Sequence, residues 1–307
     1  MTRLSFVAVI GLLILPGCNR FGGGQKTTLV EARNGFKTQL VTVPRNQQQL
    51  PQPPAELFQV VRYDSSVGKL AAYLTPDPGD GKQHPAIIWI KNGVCNSINE
   101  GCWEKQPPEA DRSGAQFREA GLVMMYPSLR GGNDNPGTEE GFFGEVDDIL
   151  AAADYLAKRP WVDPARIYLG GYFTGGTMVL LVAECSDRFR AVFSFSPLDD
   201  IQGYPPEYTP FERDRKEIEL RSPGLWLENI KIPVFVFAGA STSSDSHQRL
   251  ARQSKNPNIR FLLVLEASGP SMLAPTNRLL AQKALADVGP ACAITVTADE
   301  VNNAVNK

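Results

Sequence analysis

The stretch from Arg166 to Thr177, Arg-Ile-Tyr-Leu-Gly-Gly-Tyr-Phe-Thr-Gly-Gly-Thr, constrains this chain more than any other. A short apolar run meets Gly171, three residues intervene, and Gly175 opens a nearly all-apolar segment. That is the layout of a strand turning sharply into a helix, the G-x-S-x-G nucleophile elbow, with Gly171 and Gly175 at the two glycine positions. The residue between them is Phe173. A phenyl ring cannot attack a carbonyl carbon, so the pattern predicts a catalytic turn whose apex carries no nucleophile.

The flanks repeat one theme. Phe58–Tyr63 and Lys69–Leu74 read as a first strand pair. Pro85–Ile90 and Leu122–Tyr126 are continuous apolar runs, as expected of strands buried on both faces. Ile167–Leu169, Ala191–Phe195, Pro233–Phe237 and Ile259–Leu265 read as further strands. Asp111–Ala120, Glu145–Lys158, Gly175–Glu184 and Ala274–Asp287 read as helices; in the second, Val146, Ile149, Leu150, Ala153 and Leu156 fall at helical spacing. Such alternation predicts an α/β fold with a mostly parallel central sheet and helices on both faces. Residues 201–229, polar with prolines and aromatics, interrupt it and read as a cap-like insertion over the carboxyl edge of the sheet, where such folds bind ligands.

The N-terminus reads as a processing segment. Arg3 precedes an apolar run, Leu4–Leu15, too short for a permanent membrane span. It ends in Leu15-Pro-Gly-Cys18, which resembles the lipobox of bacterial lipoproteins; the resemblance implies cleavage before Cys18 and acylation of that cysteine. The resulting division is residues 1–17 as signal peptide, 18–54 as anchor cysteine, tether and edge segment, 55–290 as the folded domain, and 291–307 as a C-terminal tail. A net charge of −2 without basic blocks excludes a nucleic-acid surface. Two histidines and no Cys-x-x-Cys pair leave little for a metal, and the reading calls for no cofactor. Cys95 and Cys102, with six residues between them, can form a local disulfide or stay separate thiols; Cys185 reads as core, and Cys292 has no assigned role.

Pro160-Trp-Val-Asp-Pro-Ala-Arg-Ile-Tyr-Leu-Gly-Gly-Tyr-Phe-Thr-Gly-Gly176 resembles the segment P-x-V-D-x-x-R-I-x-L-x-G-x-S-x-G-G of α/β-hydrolases related to prolyl oligopeptidases and dienelactone hydrolases. The resemblance runs from about Phe58 to Gly289. It implies a triad in the order serine, acid, histidine, and an ancestral acyl transfer to water on a peptide or ester. Phe173 stands at the serine position, Asp245 at the acid position, and Gly269 or Pro270 where the histidine belongs. Two of three roles are therefore empty, and nucleophile and base act as a unit. The implied oxyanion donors are the backbone N–H groups of Thr174 and Val94.

Other residues compete for the missing chemistry. The Thr174 hydroxyl lies beside the apex, with a helix-capping role as the alternative. Cys95 with His247 is a second arrangement, against which His247 reads as a surface histidine and His84 as solvated. The serines from 241 to 246 read as turn residues. Arg130 is a candidate for a substrate carboxylate; alternatively Arg130, Asn133 and Asp134 tie their loop to itself. Trp103, Tyr172, Phe142 and Phe143 are pocket candidates. The Phe173 ring is expected to turn into the old pocket. The implied protein is an envelope-tethered binding or scaffolding module whose partners are the membrane, through its lipid, and a peptide or small carbonyl or carboxylate ligand. The alternatives are an active peptidase or esterase with a non-standard nucleophile and a purely structural lipoprotein.

Overall fold

Alternating apolar and polar runs resolve into one eight-stranded sheet in the computed structural model, which describes residues 27–42, 48–93, 95–240, 244–265, 267 and 269–306. The strands are β1 (Gln59–Ser65), β2 (Gly68–Leu74), β3 (His84–Ile90), β4 (Val123–Pro127), β5 (Val162–Tyr172), β6 (Val192–Phe195), β7 (Val234–Gly239) and β8 (Ile259–Val264). Their order is β1-β2-β4-β3-β5-β6-β7-β8. The β1–β2 and β2–β4 pairs are antiparallel, and every pair from β4 to β8 is parallel. The helices are α1 (Leu29–Arg33), α2 (Ala115–Glu119), α3 (Gly144–Leu156), α4 (Thr174–Cys185), α5 (Arg215–Arg221), α6 (Ser244–Gln253), α7 (Leu273–Ala286) and α8 (Ala298–Val305).

Strand alternation divides the core in two. Ile88 and Ile90 of β3 pack with Val146 of α3, Met178 of α4 and Leu250 of α6. Ile87 and Trp89 face the other way, onto Phe117 of α2, Leu280 of α7 and Val301 of α8. Burying both faces of the central strands is what makes their sequences continuously apolar.

The structure departs from the sequence reading in several places. β5 begins at Val162, which pairs with His84 ahead of a register shift. Helix α2 starts only after Gly114, because Asp111 accepts from the Ser113 N–H at 2.9 Å and holds that segment in a turn. Residues 291–307 are not simply a tail: α8 buries Val301, and Asn302 accepts from the Leu265 N–H at 3.0 Å. Ser244, Asp245 and Ser246 open α6 instead of a turn. Cys95 and Cys102 are both buried free thiols on opposite sides of the sheet, so no disulfide joins them. His84 Nε2 donates to Asp80 Oδ1 at 3.0 Å at the start of β3. Among the described residues no helix is long and apolar enough to cross a membrane. Cys18 and the apolar run before it lie outside the described residues.

The insertion at 201–229 consists of short 3-10 turns and α5, and the N-terminal segment is strapped to the chain beside it. Leu40 bridges Phe211, Val41 N–H donates to Pro210 O at 2.9 Å, and Glu212 N–H donates to Gln39 O at 2.7 Å.

Candidate active site at the β5–α4 turn

The chain leaves β5 at Tyr172, reverses at Phe173 and enters α4 at Thr174. Phe173 has φ 54° and ψ −108°. A bulky side chain is rare at positive φ, and holding it there costs about 1–3 kcal/mol. Backbone bonds fix the turn: Phe173 N–H donates to Phe195 O at 2.8 Å, and Thr177 N–H donates to Phe173 O at 2.9 Å.

The glycines around the apex are required by contact. A Cβ on Gly171 would stand 2.6 Å from the Gly175 carbonyl carbon. One on Gly175 would stand 2.2 Å from Ile90 O, and one on Gly176 2.3 Å from Phe195 O. The close strand–helix approach of the elbow is therefore intact around the phenylalanine.

The Phe173 ring is half-buried and touches both halves of the core. It meets Tyr204 of the insertion edge-on at 5.2 Å between centroids, and Tyr172 at 6.4 Å. Tyr204 stacks in turn on Phe142 at 5.2 Å. A hydrogen-bond chain runs beneath the rings. Leu198 N–H donates to Thr177 Oγ1 at 2.9 Å, and Tyr204 Oη donates to Phe173 O at 3.2 Å. The phenol's one proton is thus used, so Thr177 Oγ1 donates to Tyr204 Oη across 2.7 Å. Tyr204, which the sequence reading did not single out, is the residue that seals the elbow.

The other two triad positions follow β7 and β8. Asp245 is exposed on the first turn of α6. Gly269 is buried at φ 50° and opens a 3-10 turn that includes Pro270. Ala240 N–H donates to Val264 O at 3.1 Å and Ala267 O at 3.3 Å, drawing the loops after β7 and β8 together. Ser196, at the end of β6 with φ 48°, has a buried hydroxyl without a partner among the described residues.

The substitutes for the missing groups do not assemble. Thr174 does not cap its helix with its side chain; its hydroxyl donates to Gly93 O at 2.8 Å, pinning the loop after β3. That leaves its backbone N–H at the helix N-terminus, where partial positive charge concentrates. Val94 lies outside the described residues. His247 is buried, not on the surface, edge-on to Phe261 at 5.6 Å, and burial lowers its pKa to about 4. Cys95 is buried, and desolvation with Glu145 and Glu139 nearby pushes its thiol pKa far above the usual range. No hydrogen bond joins Cys95 to His247 among the described residues.

Arg130 is 5% exposed and does not face a substrate. Its Nε and Nη2 grip Asp148 of α3 at 2.9 and 3.0 Å, and Nη1 meets Glu140 at 2.7 Å. Asn133 ties the loop to Ile98, donating to its carbonyl at 3.0 Å and accepting from its N–H at 2.9 Å. Asp134 pairs with Arg62 at 3.0 Å. Phe143 is buried under Arg33, whose guanidinium lies 4.3 Å from its ring centroid. Trp103 leaves the proposed pocket: it packs edge-on to Tyr73 at 5.0 Å in the other half of the core. A groove of about 640 Å³ lies between the insertion and α6, lined by Asp199, Asp214 and Trp226 and by no elbow residue.

Glu139, also unremarked in the sequence, sits in the loop before α3. Burial, with Glu145 adding repulsion, pushes its pKa up to about 7 from 4.5. The folded state therefore holds this proton to higher pH than the unfolded chain. Stability from this group is full below pH 4.5 and is lost as pH rises toward 7, by about 3 kcal/mol. Glu139→Gln is expected to match the parent at pH 4 and to exceed it by about 2–3 kcal/mol at pH 8, read by urea unfolding. A difference that does not change with pH would mean the carboxyl ionises freely.

An eight-stranded sheet in this order, with a glycine-bounded strand–helix turn after β5, defines the α/β-hydrolase fold. Residues 110–223 match the prolyl oligopeptidase family, so that segment of the chain is similar to it. The chain is 24% identical over 173 residues to the probable dipeptidyl-aminopeptidase B of Aspergillus oryzae, covering 51% of this chain and 18% of that protein. Its structure resembles Porphyromonas gingivalis dipeptidyl peptidase 4 with a TM-score of 0.58 at 19% identity, over 73% of this chain and 35% of that one. It also resembles a Pyrobaculum calidifontis esterase with a TM-score of 0.55 at 15% identity, over 76% and 86% of the two chains. The chain thus spans about a fifth of the length of the Aspergillus relative.

Proposed function

We propose that this protein is an envelope-tethered α/β-hydrolase-fold module that binds through its elbow face without turning substrate over. What carries the reading is Phe173 at the apex of an otherwise intact elbow, with its φ of 54° and its ring against Tyr204. Gly269 at the histidine position removes the general base as well. Backbone donors do not depend on side chains, so the Thr174 N–H remains suited to a carbonyl or carboxylate oxygen. The ligand class is that of the ancestral reaction, a peptide or small acyl compound. The tether rests on the apolar run Leu4–Leu15 and the cysteine at 18.

The test uses nitrophenyl esters and fluorophosphonate labelling on the chain from Asn19 onward, beside a Phe173→Ser, Gly269→His variant. Histidine tolerates left-handed backbone better than most residues, which suits the φ of 50° at position 269. The parent is expected to show neither turnover nor label, and the variant to gain both. Turnover by the parent overturns the reading.

A further inference from the structure

Helices α2 and α7 and the loop between β3 and α2 enclose a cavity of about 350 Å³, the lower end of the range for small-molecule sites. Sequence spacing builds its walls. Ala115 and Arg118 fall at i, i+3 on α2, and Ala274 and Arg278 at i, i+4 on α7, so each helix turns a small residue and an arginine to the same side. The loop contributes Trp103, and Leu57 comes from the segment before β1. No lining residue belongs to the elbow or to the 201–229 insertion, so the cavity is separate from the site at the β5–α4 turn.

The charges around it are unequally satisfied. Arg118 is half-buried, and among the described residues it makes no hydrogen bond or ion pair. Its Nε is shielded from solvent without an acceptor. What steadies the side chain is the Phe58 ring, whose centroid lies 5.7 Å from the guanidinium carbon. The buried arginines Arg130, Arg190 and Arg221 each grip a carboxylate, of Asp148, Asp287 and Glu217. Arg278 is exposed and is likewise unpaired among the described residues. The lining acids do not neutralise the two arginines. Asp111 is committed to the Ser113 N–H at 2.9 Å, the Ser113 hydroxyl at 2.6 Å and Gln116 Nε2 at 2.7 Å. Glu104 and Glu119 stand exposed at the rim, where water and salt screen them. A half-buried guanidinium without an acceptor is a costly arrangement unless an anion supplies one.

We propose that this cavity binds a small carboxylate with an apolar body, the carboxylate held between Arg118 and Arg278 and the body against Trp103 and Leu57. The planar fork of a guanidinium matches the two oxygens of a carboxylate. Trp103 is already fixed by its edge-on contact with Tyr73 at 5.0 Å, so little ordering is left for the ligand to offset. Lys105, exposed at the mouth, adds a third positive charge for the approach of an anion. The assignment goes beyond the reading of the elbow and does not depend on it.

Phenylacetate is the probe, titrated into the protein by calorimetry, with phenylacetamide as the uncharged match and inorganic phosphate as the anion without an apolar body. Phenylacetate is expected to bind with a dissociation constant of about 1 mM or tighter, and the other two at least about tenfold more weakly. Arg278→Gln changes an exposed residue and is expected to weaken phenylacetate about two- to fivefold, the worth of an exposed ion pair. Arg118→Gln is expected to weaken it by about tenfold or more, because a hydrogen bond to a charged group at a half-buried site is worth more. Ala115→Phe fills the cavity without touching either charge and is expected to abolish binding; with Arg278→Gln it keeps the test decisive if Arg118→Gln does not fold. No binding at about 10 mM phenylacetate would overturn the proposal. So would equal binding of the amide or of phosphate, or unchanged affinity in Arg278→Gln and Ala115→Phe. The Phe173→Ser, Gly269→His variant leaves this cavity untouched and is expected to bind phenylacetate as the parent does. Loss of binding there would place the carboxylate at the elbow instead, so the two readings fail separately.

Discussion

Gly175→Ala is expected to lower the unfolding free energy by about 3 kcal/mol, the upper end of ordinary overpacking, and the melting temperature by roughly 6–12 °C. The new Cβ would lie 2.2 Å from Ile90 O and 2.8 Å from Lys91 O. Both are backbone atoms at the end of β3. Ile90 cannot retreat, because it pairs with Gly171 across the β3–β5 ladder. Helix α4 cannot retreat either, since a retreat would open the contact that Gly176 makes with Phe195 O on β6. Thermal unfolding by circular dichroism reads the change. A shift below about 2 °C would mean that α4 rides higher over β3 than described. The prediction also separates ancestry from chemistry. The glycine requirement comes from helix–strand contact and holds whatever side chain occupies the apex.

That distinction explains what could be read from the sequence. The glycines at 171 and 175 and the apolar runs of β3, β4, β7 and β8 are local signals of local geometry, and the fold followed from them. β5 was read short because Asp163, Pro164, Ala165 and Arg166 are polar or exposed, and periodicity fails where the strand projects past its neighbours. Helix α8 did carry a signal, the Thr297 and Glu300 capping box, which sits in a stretch too polar to look like core. The site was harder. Tyr204 reaches Phe173 across 31 residues from an insertion without period, and a lone tyrosine there has no sequence signature. Arg130 looked like a ligand-facing arginine because its partner Asp148 lies one helix away, on the inner face of α3. Six residues separate Cys95 from Cys102, but spacing cannot say that the sheet lies between them. Nothing in the sequence sets Glu139 apart from Glu145, and only folding reveals that the second finds three donors and the first none among the described residues.

Arg221→Ala is expected to remove about 3–5 kcal/mol, the cost of leaving one member of a buried ion pair without the other. Arg221 is fully buried on α5. Its Nη1 bonds the Glu217 carboxylate one turn earlier and the Glu217 carbonyl at 3.0 Å. Nε donates to Gly141 O at 2.7 Å, and Nη2 to Thr38 Oγ1 at 2.7 Å and Glu140 O at 3.1 Å. Phe211 lies under the guanidinium at 4.0 Å. One side chain therefore joins the insertion, the loop before α3 and the N-terminal strap. Glu217 completes the joint by accepting from the Gln39 N–H at 2.6 Å. Truncation would leave Glu217 charged and buried and would orphan the carbonyls of Glu140 and Gly141. Urea unfolding measures the loss, and trypsin cleavage after Lys37 reports release of the strap. An Arg221→Met, Glu217→Leu pair should recover part of the loss, because an apolar pair carries no buried charge. It should not recover all of it, since the Gln39 N–H and the two carbonyls stay unpaired at about 1–3 kcal/mol each. If Arg221→Ala instead unfolds within about 1 kcal/mol of the parent, the strap and insertion are held by the Leu40–Phe211 bridge and its neighbouring backbone bonds, and the cover over Phe173 does not depend on this arginine.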